Sequence, residues 1–353
     1  MSGIHELTAL RRLHSQLLAD NARDAPHDVV AHFGAVQAQD YLGMLWALGV
    51  RTRNAAEGDV ERAIAERRIV RCWPMRGTLH VVAAEDVRWM LELLAPRVLA
   101  RNRARIERDF ELDAKTLRRA RTLVERVLRG GRTLTRAELY AVLEKGGIAA
   151  GAGRGLHVLF TLAHERVVCF GPRQGKQPTF VLLDEWIPAS PPKPREEALA
   201  ELARRYFTSH APASVGDFVW WSGLPVKEAK EAIALSGASL DGDGSAATPP
   251  SVHLLPPFDE YTVAYKDRAA ILDPAFARRL NSGGGMLNAV VVVNGRVAGN
   301  WKRTIIRDSV AVTASPFHAL TKRETCAVER EAARYAAFLG KSSLAEVPSL
   351  RFD

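Results

Sequence analysis

Apolar residues recur every three or four positions through the first part of the chain, which is the spacing of helices with one buried face. The stripe of Leu7, Leu10, Leu13 and Leu17 predicts an opening helix. The further elements that we expect are helices over 29–35, 41–50 and from Asp59, then strands over 69–72 and 78–82. Helices followed by a two-stranded ribbon are the order of a winged helix, so residues 1–125 are predicted to form a first winged-helix unit.

The same order recurs in residues 126–194. Thr135 and Glu138 have the spacing of a capping box, which predicts a helix start. The predicted elements are a helix up to Lys145 and a helix over 153–165, then strands over 167–170 and 179–183. Arg173 and Lys176 lie between these strands in a basic, wing-like hairpin. We therefore expect a second winged-helix unit.

A third unit is predicted over residues 195–248 as a helix–turn–helix. Helices are expected over 195–209, 213–221 and 226–235, and Ser222-Gly223-Leu224-Pro225 supplies the turn. The alternative is a plain pair of antiparallel helices. Three such units in one chain make that alternative less attractive.

The composition changes toward β-strands after a flexible join at 241–250. The expected strands are 252–255, 261–265, 289–293, 296–302 and 309–313. Asn294-Gly295 is a strong signal for a hairpin turn. Residues 249–320 are thus predicted to form a small β-barrel, and a helix over 322–339 lies in the final part, 321–353. The predicted fold class is α+β, with tandem winged-helix units followed by a small β-barrel.

The balance of charge favours a polyanionic partner. The chain has 353 residues, of which 47% are hydrophobic and 25% charged, so it can bury a sizeable core. The formal net charge is +9, and arginine, whose guanidinium group suits bidentate phosphate contacts, carries most of the excess. Nucleic acid is the favoured partner and a membrane surface the second, although a GC-rich genome would also raise the arginine content.

The sequence gives little support to metal, disulfide or membrane chemistry. Cys72, Cys169 and Cys326 are far apart and have no C-x-x-C spacing, so we expect no zinc site, no disulfide framework and a cytoplasmic location. The first residues show no signal-peptide pattern. The apolar run 289–293 is far too short to cross a bilayer.

Gln37-Ala38-Gln39 is the most informative motif of the chain. On a helix the two amides would point to opposite sides, so they reach a common side only if the backbone is extended or turning. Gly34 and Asp40 predict a break between two helices, with Asp40 at the start of the second. Such an uncharged pair can hold a water or read a base edge, but it cannot act as a strong acid or base.

Other candidate motifs have simpler explanations. The glycine-rich stretch 151–155 lacks the spacing of a nucleotide-binding loop and is interpreted as a loop before a helix. His157 and His164 share a helix face and are interpreted as packing or DNA-side residues. The arginine-rich stretch 97–121 fits a solvated helix as well as a phosphate-binding surface. Residues 255–268 predict a structural corner or, alternatively, the lining of a polar cleft.

Several segments together resemble the winged-helix AlkZ-like DNA glycosylases, relatives of the bacterial YcaQ proteins. The matching segments, in order along nearly the whole chain, are Val36-Gln37-Ala38-Gln39-Asp40, Met75-Arg76-Gly77-Thr78-Leu79-His80, and residues 217–224, 255–268 and 291–301. The resemblance implies tandem winged helices and a β-barrel around duplex DNA, without metal or cofactor. YcaQ proteins have aspartate at the second motif position, so Gln39 places the chain in the AlkZ-like branch.

The resemblance also implies an activity. In that family a Gln-x-Gln motif is catalytic, which maps onto Gln37 and Gln39, and the substrate is alkylated guanine, including interstrand crosslinks left by azinomycin-type agents. An N7-alkylated purine is already cationic, so a water oriented by neutral amides suffices. The predicted DNA-binding residues are Arg76, His80, Arg173, Lys176, Lys266 and Arg268.

The prediction is therefore a monofunctional DNA glycosylase of base excision repair. Its expected partner is double-stranded DNA carrying alkylated bases, and it is expected to be a monomer associated with the nucleoid in the cytoplasm. The alternative is a winged-helix transcription regulator that binds DNA without chemistry, in which the glutamines would contact a base. A non-catalytic, nucleic-acid-binding structural protein is a further alternative.

Overall fold

The computed structural model describes residues 3–283 and 285–346. Its α-helices in these residues are α1 (Gly3–Ser15), α2 (Pro26–Phe33), α3 (Tyr41–Gly49), α4 (Glu57–Ala65), α5 (Val87–Phe110), α6 (Ala114–Leu128), α7 (Arg136–Lys145), α8 (Arg154–His164), α9 (Leu183–Trp186), α10 (Arg195–His210), α11 (Val215–Ser222), α12 (Val226–Ser236), α13 (Glu260–Val263), α14 (Ala277–Leu280) and α15 (Lys322–Phe338).

The strands alternate with these helices. They are β1 (Ala35–Gln37), β2 (Ile69–Met75), β3 (Thr78–Ala83), β4 (Leu134–Thr135), β5 (Val168–Gln174), β6 (Gln177–Leu182), β7 (Val252–Leu255), β8 (Asn281–Gly283), β9 (Met286–Leu287), β10 (Val290–Val293), β11 (Arg296–Ile306), β12 (Ser309–Pro316) and β13 (Ser342–Glu346). The predicted α+β class is confirmed. None of the helices in the described ranges is long and apolar enough to span a membrane.

The chain divides into two compact units. The inserted unit is Arg62–Leu199, and the interrupted unit combines Met1–Glu61 with Ala200–Asp353. Helices α4 and α10 contain the two points at which the chain passes from one unit to the other. The five-part division that the sequence suggests stays a prediction.

The inserted unit contains the series α6, β4, α7, α8 and the β5–β6 hairpin. The three strands of this series pair in the order β4-β6-β5. Helix α7 begins with the predicted capping box, in which the Thr135 side chain accepts from the Glu138 N–H and the Glu138 carboxylate accepts from the Thr135 N–H. Side chains from these elements and from α5 and β2 fill the core; they include Trp73, Ile106, Leu139, Leu143, Leu159, Leu162 and Phe180.

The interrupted unit is built around a five-stranded sheet of order β13-β12-β11-β10-β7. Strand β10 is buried along its length and pairs antiparallel with β11 and β7. Asn294 and Gly295 both have positive φ, 48° and 79°, as a two-residue hairpin turn requires, so the predicted turn is confirmed. Among the described residues the sheet ends at β7 and β13, which makes it a half-barrel, and a closed barrel stays a prediction.

Aromatic side chains join the helices of the interrupted unit to this sheet. The Trp46 indole of α3 packs edge-on against the Tyr335 ring of α15 at 5.0 Å between centroids. The Trp46 Nε1–H donates to the Leu254 carbonyl of β7 at 2.6 Å. Burying a large ring with its polar atom satisfied fixes α3, the helix that follows the glutamine motif, relative to the sheet.

The predicted helices around Ser222-Gly223-Leu224-Pro225 and the turn between them are present in the interrupted unit, and a helix–turn–helix unit stays a prediction. Helix α11 ends at Ser222, Gly223 has a left-handed φ of 72°, and α12 begins at Val226. The Ser214 side chain caps α11 and forms a capping box with Asp217. A local glycine signal therefore predicted this turn correctly.

The predicted strand over 261–265 is wrong, because Glu260–Val263 forms the short helix α13. Phe258 has a φ of 59°, which turns the chain, and the Asp259 carboxylate then accepts from the Tyr261 N–H as a helix cap. The alternation of Tyr261, Val263 and Tyr265 is typical of a strand. Here the Asp259 cap, which pairs with Arg51, favours a helix more strongly than the alternation favours a strand.

Candidate active site

The Gln37-Ala38-Gln39 segment lies between two helices, with Gln37 at the end of a strand and Gln39 in a bend. Helix α2 ends at Phe33, Gly34 has a φ of 77°, and β1 carries the chain to Gln37. The Asp40 side chain accepts from the Gly43 N–H at 3.1 Å and caps α3. The predicted break between two helices and the capping role of Asp40 are confirmed.

The Gln37 side chain makes two hydrogen bonds to Gln39, one to its backbone and one to its side chain. The Gln39 N–H donates to Gln37 Oε1 at 2.9 Å, and Gln37 Nε2 donates to Gln39 Oε1 at 2.9 Å. Because a backbone N–H needs an oxygen as acceptor, the first bond identifies which terminal atom of the Gln37 amide is the oxygen and which is the nitrogen. The second bond then directs Gln39 Oε1 toward Gln37 and leaves its NH₂ group on the opposite side.

The two glutamines differ in their exposure to solvent. Gln37 is 7% exposed, whereas Gln39 is exposed. Each carboxamide oxygen uses one acceptor position within the pair and keeps a second one. The motif therefore presents neutral oxygen dipoles and an amide NH₂ at a surface that a ligand can reach.

A buried carboxylate lies directly behind the motif. The Gln37 N–H donates to Glu260 Oε1 at 2.7 Å, and Trp221 Nε1–H donates to Glu260 Oε2 at 3.1 Å. His210 Nε2 is 3.4 Å from the same Oε2. The sequence analysis did not single out Glu260, although two consecutive acids in the apolar segment 255–265 were a signal for a buried polar network.

An ion pair next to Glu260 anchors the same segment. The Arg51 guanidinium donates in bidentate fashion to Asp259 at 2.7 and 2.8 Å, and both side chains are almost fully buried. Arg51 also donates to the Gln16 and Ala47 carbonyls, so its donors face acceptors on α3 and in the turn that follows α1. Segment 255–268 is thus the structural corner that the sequence predicted, and through Glu260 it also supports the glutamine motif.

Lys266 and Arg268, the predicted DNA-binding residues of the interrupted unit, differ in their surroundings. Lys266 is exposed, and its backbone N–H donates to the Asp217 carboxylate at 2.8 Å. The Arg268 Nε–H donates to the Thr262 carbonyl at 2.6 Å, and burial lowers the pKa of its guanidinium. Lys266 is accessible to a phosphate, whereas Arg268 stabilises the corner.

In the inserted unit, Arg76 and His80 lie on the β2–β3 hairpin. His80 is fully buried, with Nδ1 3.0 Å from the Thr78 carbonyl and Nε2 3.4 Å from the Arg76 guanidinium. A neutral ring that donates from Nδ1 and accepts at Nε2 satisfies both contacts. His80 therefore holds Arg76, which is half-buried.

Arg173 and Lys176 lie on the β5–β6 hairpin of the inserted unit. Lys176 is exposed next to Gly175, whose φ is 59° at the hairpin turn, and Arg173 is half-buried. The wing-like hairpin that the sequence predicts is present. Its tip offers an ammonium group to a polyanion.

The histidines and the glycine-rich stretch have structural roles. The His157 ring packs on Phe110 at 3.9 Å between centroids, and His164 Nδ1 lies 2.7 Å from the Phe160 carbonyl. Burial lowers the pKa of His164 to about 4. Stretch 151–155 precedes α8, as interpreted. Within residues 3–283 and 285–346, no group of three or more His, Cys, Asp or Glu side chains is arranged to hold a metal ion.

Comparisons with known proteins agree on one family. Residues 30–338 match the sequence profile of the family described as DNA glycosylase AlkZ-like. The chain is 29% identical to an interstrand DNA cross-link repair glycosylase of Streptomyces sahachiroi, over 94% of this chain and 96% of that relative. The solved structure of Streptomyces sahachiroi DNA glycosylase AlkZ is similar, with a TM-score of 0.75, 25% identity, and coverage of 98% of this chain and 100% of that one.

Proposed function

Since the chain belongs to the AlkZ-like family and is therefore a DNA glycosylase, we propose that it releases N7-alkylated guanine from duplex DNA and that Gln37 and Gln39 hold the attacking water. The observation that carries this proposal is that the Gln37 amide is fixed by two hydrogen bonds to the exposed residue Gln39. The fixed pair keeps acceptor positions on both oxygens, which a water molecule can use.

The chemical step requires no strong acid. Alkylation at N7 gives the base a positive charge, so the N9–C1′ bond breaks with its electron pair moving to the base, which leaves as a neutral molecule. The sugar becomes oxocarbenium-like, as in other glycosidic cleavages. The carboxamide oxygens stabilise this charge and orient a water toward C1′. The water oxygen bonds to C1′ and its proton passes to solvent.

The elements of both units support a duplex as the partner. We propose that the α6–β6 series of the inserted unit is a winged helix and that its basic hairpin contacts phosphates. In the interrupted unit, we propose that the half-barrel and α11–α12 also contact DNA. The enzyme is proposed to act as a monomer, without cofactor. Family membership favours this proposal over a regulator that lacks chemistry.

Base release from defined oligonucleotides tests the proposal. A duplex with one N7-methylguanine is incubated with the protein, and hot alkali then cleaves the strand at abasic sites. A matched duplex with O6-methylguanine carries the same methyl group on the same base without the ring charge. Cleavage only in the N7-methylguanine duplex is expected; release of both bases would contradict the need for a cationic leaving group.

A crosslinked substrate is a second expectation. The similar Streptomyces protein is an interstrand DNA cross-link repair glycosylase, and we propose that this chain also unhooks crosslinks joined through guanine N7. The leaving group is cationic at each attached guanine, so the same step applies. A denaturing gel that resolves crosslinked from single strands measures unhooking, and the persistence of the crosslinked band would limit the activity to monoadducts.

Asp40→Asn is expected to keep most of the activity. Asparagine caps a helix nearly as well as aspartate, so the Gly43 N–H retains an acceptor. The measurement is the single-turnover rate of N7-methylguanine release at saturating enzyme. A loss as deep as that of Gln39→Ala would instead make Asp40 the catalytic carboxylate.

Binding to DNA is expected to depend on salt and hardly at all on sequence, because damage occurs in every sequence context. Lys176→Ala and Lys266→Ala should each reduce the slope of log K against log salt by about one if the ammonium contacts a phosphate. Titration of unmodified duplexes of scrambled sequence at several salt concentrations gives the slopes. One duplex bound about a thousandfold tighter than the others would support a regulator.

A further inference from the structure

We propose that Glu260 is a positioning residue for the reaction: its buried carboxylate holds the Gln37 backbone so that the Gln37 side chain can orient the water. This inference rests on the proposed role of the glutamine pair. Glu260 lies on α13, far from the motif in sequence, and its side chain is 1% exposed. Its bond to the pair is made with the Gln37 N–H, so we expect its effect on the rate to act through Gln37.

The contacts of Glu260 identify it as a hydrogen-bond acceptor. Two of its partners, the Gln37 N–H at 2.7 Å and the Trp221 indole N–H at 3.1 Å, can only donate. His210 Nε2 lies 3.4 Å from the same carboxylate. Bonds to a charged acceptor are about twice as strong as bonds to a neutral one.

The His210 ring is held in place beside this carboxylate. Its Nδ1 lies 2.8 Å from the Ser209 hydroxyl, which itself donates to the Arg205 carbonyl at 2.7 Å. The same Nδ1 lies 3.2 Å from the Tyr206 carbonyl, so it faces acceptors on both sides. His210 is fully buried and stacks on Tyr206 at 4.5 Å between centroids, so its orientation is fixed. The helix that carries His210 thereby supports the carboxylate from behind.

The position of the bond explains why it matters for the motif. The Gln37 N–H faces Glu260, while the Gln37 side chain forms both amide bonds to Gln39. The Gln37 backbone is therefore bonded to the protein interior, and its side chain is bonded to Gln39. An error of about 1 Å in a catalytic group costs on the order of a hundredfold in rate. Loss of the Glu260 bond frees the backbone to make such an error.

The central experiment is a double-mutant cycle between Glu260 and Gln37. Glu260→Met removes every acceptor at similar volume and is expected to lower the single-turnover rate about a hundredfold, and Glu260→Gln about tenfold because one amide oxygen replaces two. In a Gln37→Ala background the same changes should cost less than about threefold, since the positioned side chain is gone. The Kd for damaged DNA should stay unchanged throughout.

A matched control separates positioning from loss of stability. Asp86 of the inserted unit is a buried carboxylate that accepts from the Trp89 indole at 2.8 Å, as Glu260 does from Trp221. Asp86→Asn makes the same change from carboxylate to amide as Glu260→Gln and should keep the wild-type rate. If Glu260→Met does not fold, Glu260→Gln decides. Wild-type rates in a folded Glu260 variant, or equal losses in both backgrounds, would overturn the inference.

Hydrogen exchange at the Gln37 amide measures the bond to Glu260 independently of any activity. Should the wild-type protein release no N7-methylguanine, the substrate proposal is refuted, and exchange at the Gln37 amide still reports on the bond. We expect that amide to exchange at least about tenfold faster in Glu260→Gln than in wild type or Asp86→Asn, because its acceptor is weakened. Unchanged exchange would refute the positioning role.

Discussion

Replacing Gln37 or Gln39 with alanine is expected to lower the rate of base release on the order of a hundredfold or more, with little change in DNA affinity. The amides are neutral, so they add little to the electrostatic attraction that dominates binding to phosphates. Their contribution lies in holding the water and stabilising the sugar cation, interactions that are made in the transition state.

The two substitutions remove different parts of the pair. Gln37→Ala deletes both amide bonds, because Gln37 supplies the acceptor for the Gln39 N–H and the donor to Gln39 Oε1. Gln39→Ala deletes only the second bond and leaves its backbone N–H in place. The double variant should lose little more than Gln37→Ala, since the two side chains act as a unit.

Single-turnover kinetics at saturating enzyme, together with binding titrations, measure these effects. Asp40→Asn serves as the control, because it changes a neighbouring side chain that caps α3. Wild-type rates in both glutamine variants would refute the catalytic assignment. A rate loss matched by an equal loss of affinity would instead make the motif a binding element.

Arg51→Met is expected to destabilise the interrupted unit by about 3–5 kcal/mol, because it leaves the Asp259 carboxylate buried without its partner. The Arg51 and Asp259 side chains are 2% and 0% exposed. Asp259 also caps α13, which carries Glu260. The loss of stability should therefore be accompanied by a lower rate of base release at temperatures where the protein is still folded.

Arg53→Met is a closely matched control for Arg51→Met. Arg53 also pairs with an aspartate, Asp24, at 2.8 Å, but both side chains are exposed. Water and salt screen such a pair, so no measurable change in stability is expected. Urea unfolding is monitored by hydrogen exchange of residues 44–52, which measures the free energy of unfolding of the interrupted unit itself. Equal destabilisation by the two variants would contradict a dominant role for the buried pair.

Local sequence signals were dependable where the cause of the structure lies within a few residues. The capping box at Thr135, the turn at Asn294-Gly295 and the Asp40 cap all form as predicted. In each case a side chain satisfies a backbone group of the same segment, or a backbone angle favours particular residues. Such preferences can be read from a sequence without knowledge of the fold.

The sequence was misleading where a distant partner decided the structure. Residues 261–265 alternate like a strand, yet the segment begins as helix α13. Its Asp259 cap is itself held by Arg51, which lies 208 positions away in the chain. The exposure of the predicted DNA contacts likewise depends on packing: Lys176 and Lys266 are exposed, whereas His80 is buried.

The α+β class, most helices and strands, and the break between helices at the glutamine motif followed from the sequence, and the matching segments indicated the family. The buried carboxylate behind that motif could not be predicted in this way, because Glu260 reaches the Gln37 N–H across 223 positions of the chain. No local preference encodes such a bond. It forms because a buried carboxylate must find donors, and the folded chain brings Gln37, Trp221 and His210 to the same point.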